Sequence, residues 1–321
     1  MPWERLISYN AGMPILSLIV PCFNEQDSLR PFMQELSRVL AELSDIQPEV
    51  ILVNDGSSDG TLQVMRELSA EVDFVRYVSF SRNFGKESAM LAGFAESKGD
   101  YVAVMDADLQ DPPGLLPEML RVVREEGYDC AGTRRITRKG EPPIRSFFAR
   151  LFYRFINLLS CTQLVDGARD YKLLSRKAVD ALLSMPEYNR FSKGLYEWIG
   201  FRTRWLEYEN VERVAGETKW SFWKLFKYSL EGIVAFTTVP LAFASLLGML
   251  CMAVSLLVIV LLCVRHIIWN NPVHGWDSLV CIIVFLSGLQ LFCAGVIGQY
   301  IAKMYMEIKR RPHYIIAEQS E

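Results

Sequence analysis

Two stretches of this chain carry no charge, and they constrain everything around them. Gly232 to Val264 spans 33 residues, and Ser278 to Ala302 spans 25, without one Asp, Glu, Lys or Arg. Each exceeds the roughly 20 residues a helix needs to cross a bilayer core. Helices packed in a soluble core usually keep a polar face, so the expectation is a pair of membrane spans, about 232–264 and 278–302. Lys219, Lys224 and Lys227 precede the first, and Lys303, Lys309, Arg310 and Arg311 follow the second. The connection between them carries one Arg and two His. The positive-inside rule then puts both termini in the cytoplasm and leaves a short external loop.

The rest of the chain reads as a cytoplasmic domain. Met1 to Gly12 is polar and mixed, and Ile15–Val20 is too short for the apolar core of a signal peptide, so no secretory leader is expected. None of the seven cysteines is spaced C-x-x-C, and four of them (Cys251, Cys263, Cys281 and Cys293) lie in the apolar runs. Neither disulfides nor structural zinc are implied. A net charge of -3 over 321 residues gives no reason to expect nucleic-acid binding. The expected layout is a polar lead at 1–14, a catalytic domain at 15–220, and a membrane domain at 221–321 that ends in a cytoplasmic tail.

Within 15–126, short apolar runs alternate with helical spacing. Strands are expected at Ile15–Val20, Val50–Val53, Phe74–Val78 and Tyr101–Met105. Helices are expected at Ser28–Leu43, Thr61–Leu68 with Asp59 as N-cap, Glu87–Ser97 and Glu118–Glu126. This alternation predicts an α/β domain with a mainly parallel sheet covered on both faces. Further on, Arg134, Arg135, Arg138 and Lys139 lead into Phe147, Phe148, Leu151, Phe152 and Phe155. That pattern favours a helix at about 144–160 lying in the membrane interface over an amphipathic helix packed on the domain. Trp220–Tyr228, aromatic with interleaved Lys, is a second segment suited to the headgroup layer.

Chemistry concentrates where strands end. Asp106-Ala107-Asp108, with Gln110 two places on, follows the fourth strand, and two carboxylates so spaced can share one hard divalent cation, Mg²⁺ or Mn²⁺. In α/β folds ligands bind at the carboxyl ends of the strands. Pro21-Cys22-Phe23-Asn24-Glu25 closes the first strand and Asn54–Gly60 the second. Asp55 there suits a base N–H or ribose hydroxyls, although D-G-S-S-D-G also serves as a turn with a helix cap.

Six ordered motifs over residues 15–220 resemble the family-2 glycosyltransferases, and more narrowly the polyprenyl-phosphate glycosyltransferases. They are Val20–Glu25, Asn54–Asp59, Ser81–Lys86, Met105–Pro113, Asp170–Arg176 and Arg213–Trp220. Departures are Phe23 in place of a usual Tyr, Tyr171-Lys172 in place of Phe-Arg, and Asn210 in place of an Arg. The resemblance implies a GT-A fold with two C-terminal transmembrane helices in a bacterial cell membrane, and a homo-oligomer, tetrameric in similar proteins. It implies inverting transfer of a hexose, most simply glucose from UDP-glucose, to undecaprenyl phosphate, giving a lipid-linked sugar for cell-surface glycans. N-acetylgalactosamine, N-acetylglucosamine and mannose stay open as sugars.

The roles implied are these. Pro21, Asn24, Glu25, Asp55, Lys86, Asp106, Ala107 and Asp108 meet the nucleotide sugar. Asp106, Asp108 and Gln110 hold Mg²⁺ or Mn²⁺. Arg134, Arg135, Arg138 and Arg213 meet the acceptor phosphate and the leaving diphosphate, since the guanidinium fork binds phosphate bidentately. Asp170 is the further essential carboxylate, either a base or an orienting group. A processive polysaccharide synthase is disfavoured because Q-x-x-R-W is absent and the spans are too few. A non-catalytic scaffold is disfavoured by the intact Asp106 and Asp108.

Overall fold

The computed structural model describes residues 12–135, 165, 167–208, 239–269 and 275–320. The first half builds the expected alternation. In order come β1 (Ile15–Cys22), α1 (Leu29–Leu40), β2 (Gln47–Asn54), α2 (Thr61–Glu71), β3 (Val75–Phe80), α3 (Lys86–Glu96), β4 (Tyr101–Val104) and α4 (Leu116–Glu125). β3, β2, β1 and β4 lie side by side and parallel. Pleating sends alternate side chains to opposite faces, and both faces are apolar. Leu16, Leu18, Val50 and Leu52 join α1, α2 and α4 in one core layer, while Ile19, Ile51, Val53 and Val104 join α3 in the other.

Two boundaries differ from the sequence pattern. α1 stops at Leu40 because the next turn tightens, with Glu42 N–H bonding Val39 and Leu43 N–H bonding Leu40. The N-cap of α2 is Gly60, not Asp59. Asp59 still supports the helix start by accepting the Thr61 N–H at 3.0 Å.

Beyond α4 the sheet becomes mixed. β5 (Cys130–Arg135) and β6 (Ala168–Ser175) are followed by α5 (Arg176–Leu183), α6 (Ser192–Trp198) and β7 (Thr203–Tyr208). β6 runs antiparallel to both β4 and β5, and β7 runs parallel to β5. Two long helices follow, α7 (Val239–Trp269) and α8 (Trp276–Lys309), packed on one another and close to the two charge-free stretches. Leu257, Phe285, Leu291 and Ile308 are each more than half exposed on them. Only one stretch, Phe285–Lys309, is long and apolar enough to cross a membrane among the described residues. The apolar stretch of α7 that can be assessed, Val239–Ser255, is shorter, so the expected pair of spans is supported in one helix.

The tail does not end free. β8 (Ile316–Gln319) pairs antiparallel with β3, placing Val78 opposite Gln319. The full strand order is β7-β5-β6-β4-β1-β2-β3-β8. Residues after α8 therefore share one sheet with the domain that precedes α7. The first eleven residues of the polar lead, the interface helix at 144–160, the aromatic segment at 220–228, Arg138 and Arg213 lie outside the described residues.

Candidate active site

All four parallel strands end at one edge, and their loops carry the motifs. Pro21 lies at the end of β1, and Asn24 follows in the left-handed backbone region at φ 56°. Asn24 accepts the Ser58 N–H at 2.9 Å, and its own N–H donates to Ser57 Oγ at 3.0 Å. The Glu25 N–H donates to Thr61 Oγ1 at 2.8 Å, and its carboxylate accepts the Ser28 hydroxyl. The β1–α1 and β2–α2 loops are thereby knitted together. The second loop also touches the third. Gly56 sits at φ +63°, and a Cβ there would fall 2.2 Å from the Arg82 carbonyl carbon. Only glycine allows both the backbone angle and the approach.

Asp55 is 3% exposed. Its carboxylate accepts the Phe84 N–H at 2.7 Å and the Gly85 N–H at 3.0 and 3.1 Å. Burial raises its pKa, partly offset by those N–H groups. The role this geometry supports is holding the β3–α3 loop, the loop that delivers Lys86.

Strand register explains the centre of the site. β4 and β6 are antiparallel with Val104 opposite Lys172, so two residues beyond Val104 and two before Lys172, Asp106 comes to face Asp170. Lys86 Nζ lies between them, 2.7 and 2.9 Å from the Asp106 oxygens and 2.6 Å from Asp170 Oδ2. Burial alone would raise the Asp170 pKa. Lys86, Lys193 and Arg169 outweigh that and hold this carboxyl well below the usual range. At Asp106 burial dominates over Lys86, and the pKa is raised. Lys86 itself is pushed upward, because its two carboxylate partners outweigh burial. The three side chains form one shared ionic centre, with the proton on the lysine.

Ala107 is buried at 2% exposure, and Asp108 Oδ1 accepts the Gln110 N–H at 3.1 Å. Leu109, between them, adopts φ 56°, a left-handed conformation that costs a non-glycine residue about 1–2 kcal/mol. Gln110 Oε1 accepts from Arg135 at 3.2 Å and from Arg169 at 3.4 Å. Behind them Asp111, fully buried, accepts Arg169 Nε at 2.9 Å and the Tyr208 hydroxyl at 2.6 Å. The result is a cationic wall beside Asp106 and Asp108. Arg134, next along β5, turns instead to Glu207 on β7.

The structure thus brings together Asp106, Asp108, Gln110, Asp170, Lys86 and Arg135, with the Asn24–Glu25 and Asp55 loops beside them. It adds Asp111, Arg169, Lys193 and Tyr208, which sequence reasoning passed over. Asp111 sits inside a motif and Arg169 directly precedes Asp170. Their pairing, however, depends on the β4–β6 register, which no local pattern displays. Among the described residues no three His, Cys, Asp or Glu side chains form a ready cation cage. The donor set is hard oxygen, from Asp106 and Asp108, and Asp106 already pairs with a cationic group. That fits a small divalent ion held by one or two carboxylates and completed by phosphate oxygens.

The family model "Glycosyl transferase family 2" matches residues 17–183. The chain is 43% identical over 304 residues to the "Putative glycosyltransferase CsbB" of Bacillus subtilis, covering 95% of this chain and 92% of that one. It is 37% identical over 301 residues to the "SfII prophage-derived bactoprenol glucosyl transferase" of Shigella flexneri, covering 94% and 97%. Among solved structures it is similar to glucosyl-3-phosphoglycerate synthase from Mycobacterium tuberculosis, at 20% identity and TM-score 0.45, covering 70% of this chain and 78% of that one.

Proposed function

The chain belongs to glycosyl transferase family 2, and we propose that it transfers glucose from UDP-glucose to a polyprenyl phosphate, with inversion, at the cytoplasmic face of a bacterial membrane. The observation that carries this reading is the ionic centre of Asp106, Lys86 and Asp170 at the loop edge, flanked by Arg135 and Arg169. Relatives named for bactoprenol glucosyl transfer, matching along nearly the whole chain, support the acceptor and the sugar. The apolar Phe285–Lys309 segment supports a membrane enzyme whose acceptor is a lipid.

The chemistry follows from charge. A lipid monophosphate has a second pKa near ~6, so at neutral pH it is largely dianionic and already nucleophilic. Its oxygen attacks the anomeric carbon, the bond from that carbon to the diphosphate breaks, and the diphosphate leaves with the electron pair. One displacement inverts the anomeric centre. Lys86, Arg135 and Arg169 face the charge that develops on the leaving group, and preorganised charge of this kind is usually the largest catalytic contribution. Asp170, kept ionised, fixes Lys86 and needs no proton from the acceptor. A divalent cation, held by Asp106 and Asp108, would supply Lewis-acid neutralisation of the diphosphate. Asp55, Asn24 and Glu25 order the loops that receive the nucleotide.

The test is to incubate the purified chain with undecaprenyl phosphate and a panel of labelled nucleotide sugars, and to identify the lipid product. A β-linked glucosyl phospholipid formed from UDP-glucose is expected. Preferential transfer of another sugar would overturn the donor assignment, and no lipid product from any donor would overturn the activity.

A further inference from the structure

The C-terminal segment grips the β3–α3 loop, residues 81–85, and the strand and helix ends that flank it, from two directions. On one side Ile315 C=O accepts the Ser81 N–H at 3.0 Å, and the Tyr314 ring stacks on Phe80 with centroids 5.0 Å apart. Phe80 meets Phe84 edge-on at 5.8 Å, and the Phe84 and Gly85 N–H groups are those that bind Asp55. The far end of the strap is pinned by Glu318, which takes Arg66 at 2.6 and 2.8 Å and the Tyr77 hydroxyl at 2.6 Å. On the other side, the last two turns of α8 hold the segment before α6. Glu307 accepts the Tyr188 and Asn189 N–H groups at 2.9 and 3.1 Å, and Lys303 donates to Asn189 Oδ1 at 3.0 Å. Three residues on, Ser192 donates its N–H to Glu87, the neighbour of Lys86.

Both lines therefore end on the loop that presents Lys86. Nothing in the ionic centre requires this, since the sheet would close at β3 without β8. We propose that residues 307–320 are a positioning element of the donor site, setting the β3–α3 loop and so the affinity for a nucleoside diphosphate, not for the lipid phosphate. The inference rests on the nucleotide-sugar reading above, and it makes the end of the apolar helix part of the donor site.

The test uses the full chain in detergent, with Tyr314→Ala, Tyr314→Phe and Glu307→Gln. Three quantities are measured: the Kd for UDP with Mn²⁺, the KM for undecaprenyl phosphate, and amide hydrogen exchange across residues 81–87. Tyr314→Ala should weaken UDP about fivefold to tenfold, the size expected for one lost aromatic pair, and leave the lipid KM within about twofold. Exchange at Phe84 and Gly85 should quicken, and Tyr314→Phe should behave as the unaltered chain. Glu307→Gln should show the same pattern from the other side, and it decides the matter if Tyr314→Ala does not fold. Unchanged exchange at Phe84 and Gly85, or equal losses for both substrates, would overturn the inference. If the unaltered chain binds no UDP, the nucleotide reading itself fails, while the exchange data still decide whether the strap orders the loop.

Discussion

Lys86 Nζ stands 2.6 Å from Asp170 Oδ2, a contact between the start of α3 and a strand more than eighty residues later. The same ammonium touches Asp106, so one cation separates two carboxylates that would otherwise repel. Its removal should be felt in catalysis first. Lys86→Met is expected to lower kcat/KM about a hundredfold or more, the range seen when one charge-stabilising donor is deleted. Lys86→Arg, which keeps the charge with a different shape, should recover part of it. Steady-state kinetics with both substrates check this, and near-normal turnover in Lys86→Met would take the lysine out of the machinery.

Asp106→Asn and Asp108→Asn should each abolish transfer while the chain stays folded. The two carboxylates are the hard-oxygen pair at the exit of β4, and loss of a bound Lewis acid removes several kcal/mol of transition-state stabilisation. Binding of Mn²⁺ in the presence of UDP, followed by electron paramagnetic resonance, gives a readout separate from turnover. Mn²⁺ affinity equal to that of the unaltered chain in both variants would refute the assignment.

Asp111 and Arg169 form the buried pair behind that site, with Tyr208 completing it. Truncating one partner of a buried ion pair leaves the other uncompensated and typically costs about 3–5 kcal/mol. Asp111→Ala should therefore lower thermal stability by an amount at the lower end of that range, since Arg169 keeps some solvent contact. Tyr208→Phe should cost less, about 1.5–3 kcal/mol for one hydrogen bond to a charged group. Burial and Asp111 push the Tyr208 hydroxyl up to about 12. A raised pKa means that its contribution is complete below the ordinary tyrosine value and is lost only as pH rises through about 12. Thermal melts of the two variants check both expectations, and an unchanged melt in Asp111→Ala would show that Arg169 has found water or another partner.

The parts of this molecule legible in the sequence are those governed by local repetition. The short apolar runs of β1, β2 and β4 and the stripe Leu29, Phe32, Met33, Leu36 on α1 each bury what their pattern says they should. Asp106 and Asp108 were legible because they follow an apolar strand directly. What escaped was every feature set by pairing between distant segments. β6 joins the sheet antiparallel, which is why Asp170 faces Asp106, and neither its direction nor its register is written in its own residues. β8 is four residues long and half polar, so it resembles a solvated tail until β3 offers it an edge. The hold that Asp55 has on the β3–α3 loop is likewise not written in its own neighbours. Its partners, the Phe84 and Gly85 N–H groups, arrive from another loop.

The pH dependence of transfer should separate an orienting Asp170 from a general base. Lys86, Lys193 and Arg169 together outweigh the effect of burial and depress the Asp170 pKa. A depressed carboxyl pKa means that its stabilising interaction is fully present above the unfolded value of about 4, and is lost only as pH falls through the lower folded value. Asp170 thus stays ionised across the working range and contributes no rate limb of its own there. The acceptor phosphate does titrate within it, with a second pKa near ~6. The rate at limiting lipid phosphate should therefore rise through pH about 6 and then level off. Asp170→Asn should lower the plateau without moving the midpoint, because the lost element is the partner of Lys86 and not a proton acceptor. Rate profiles from acid to neutral pH for both forms test this. A midpoint that shifts with the substitution, or rescue of Asp170→Ala by small exogenous carboxylates, would show that the carboxylate takes a proton after all.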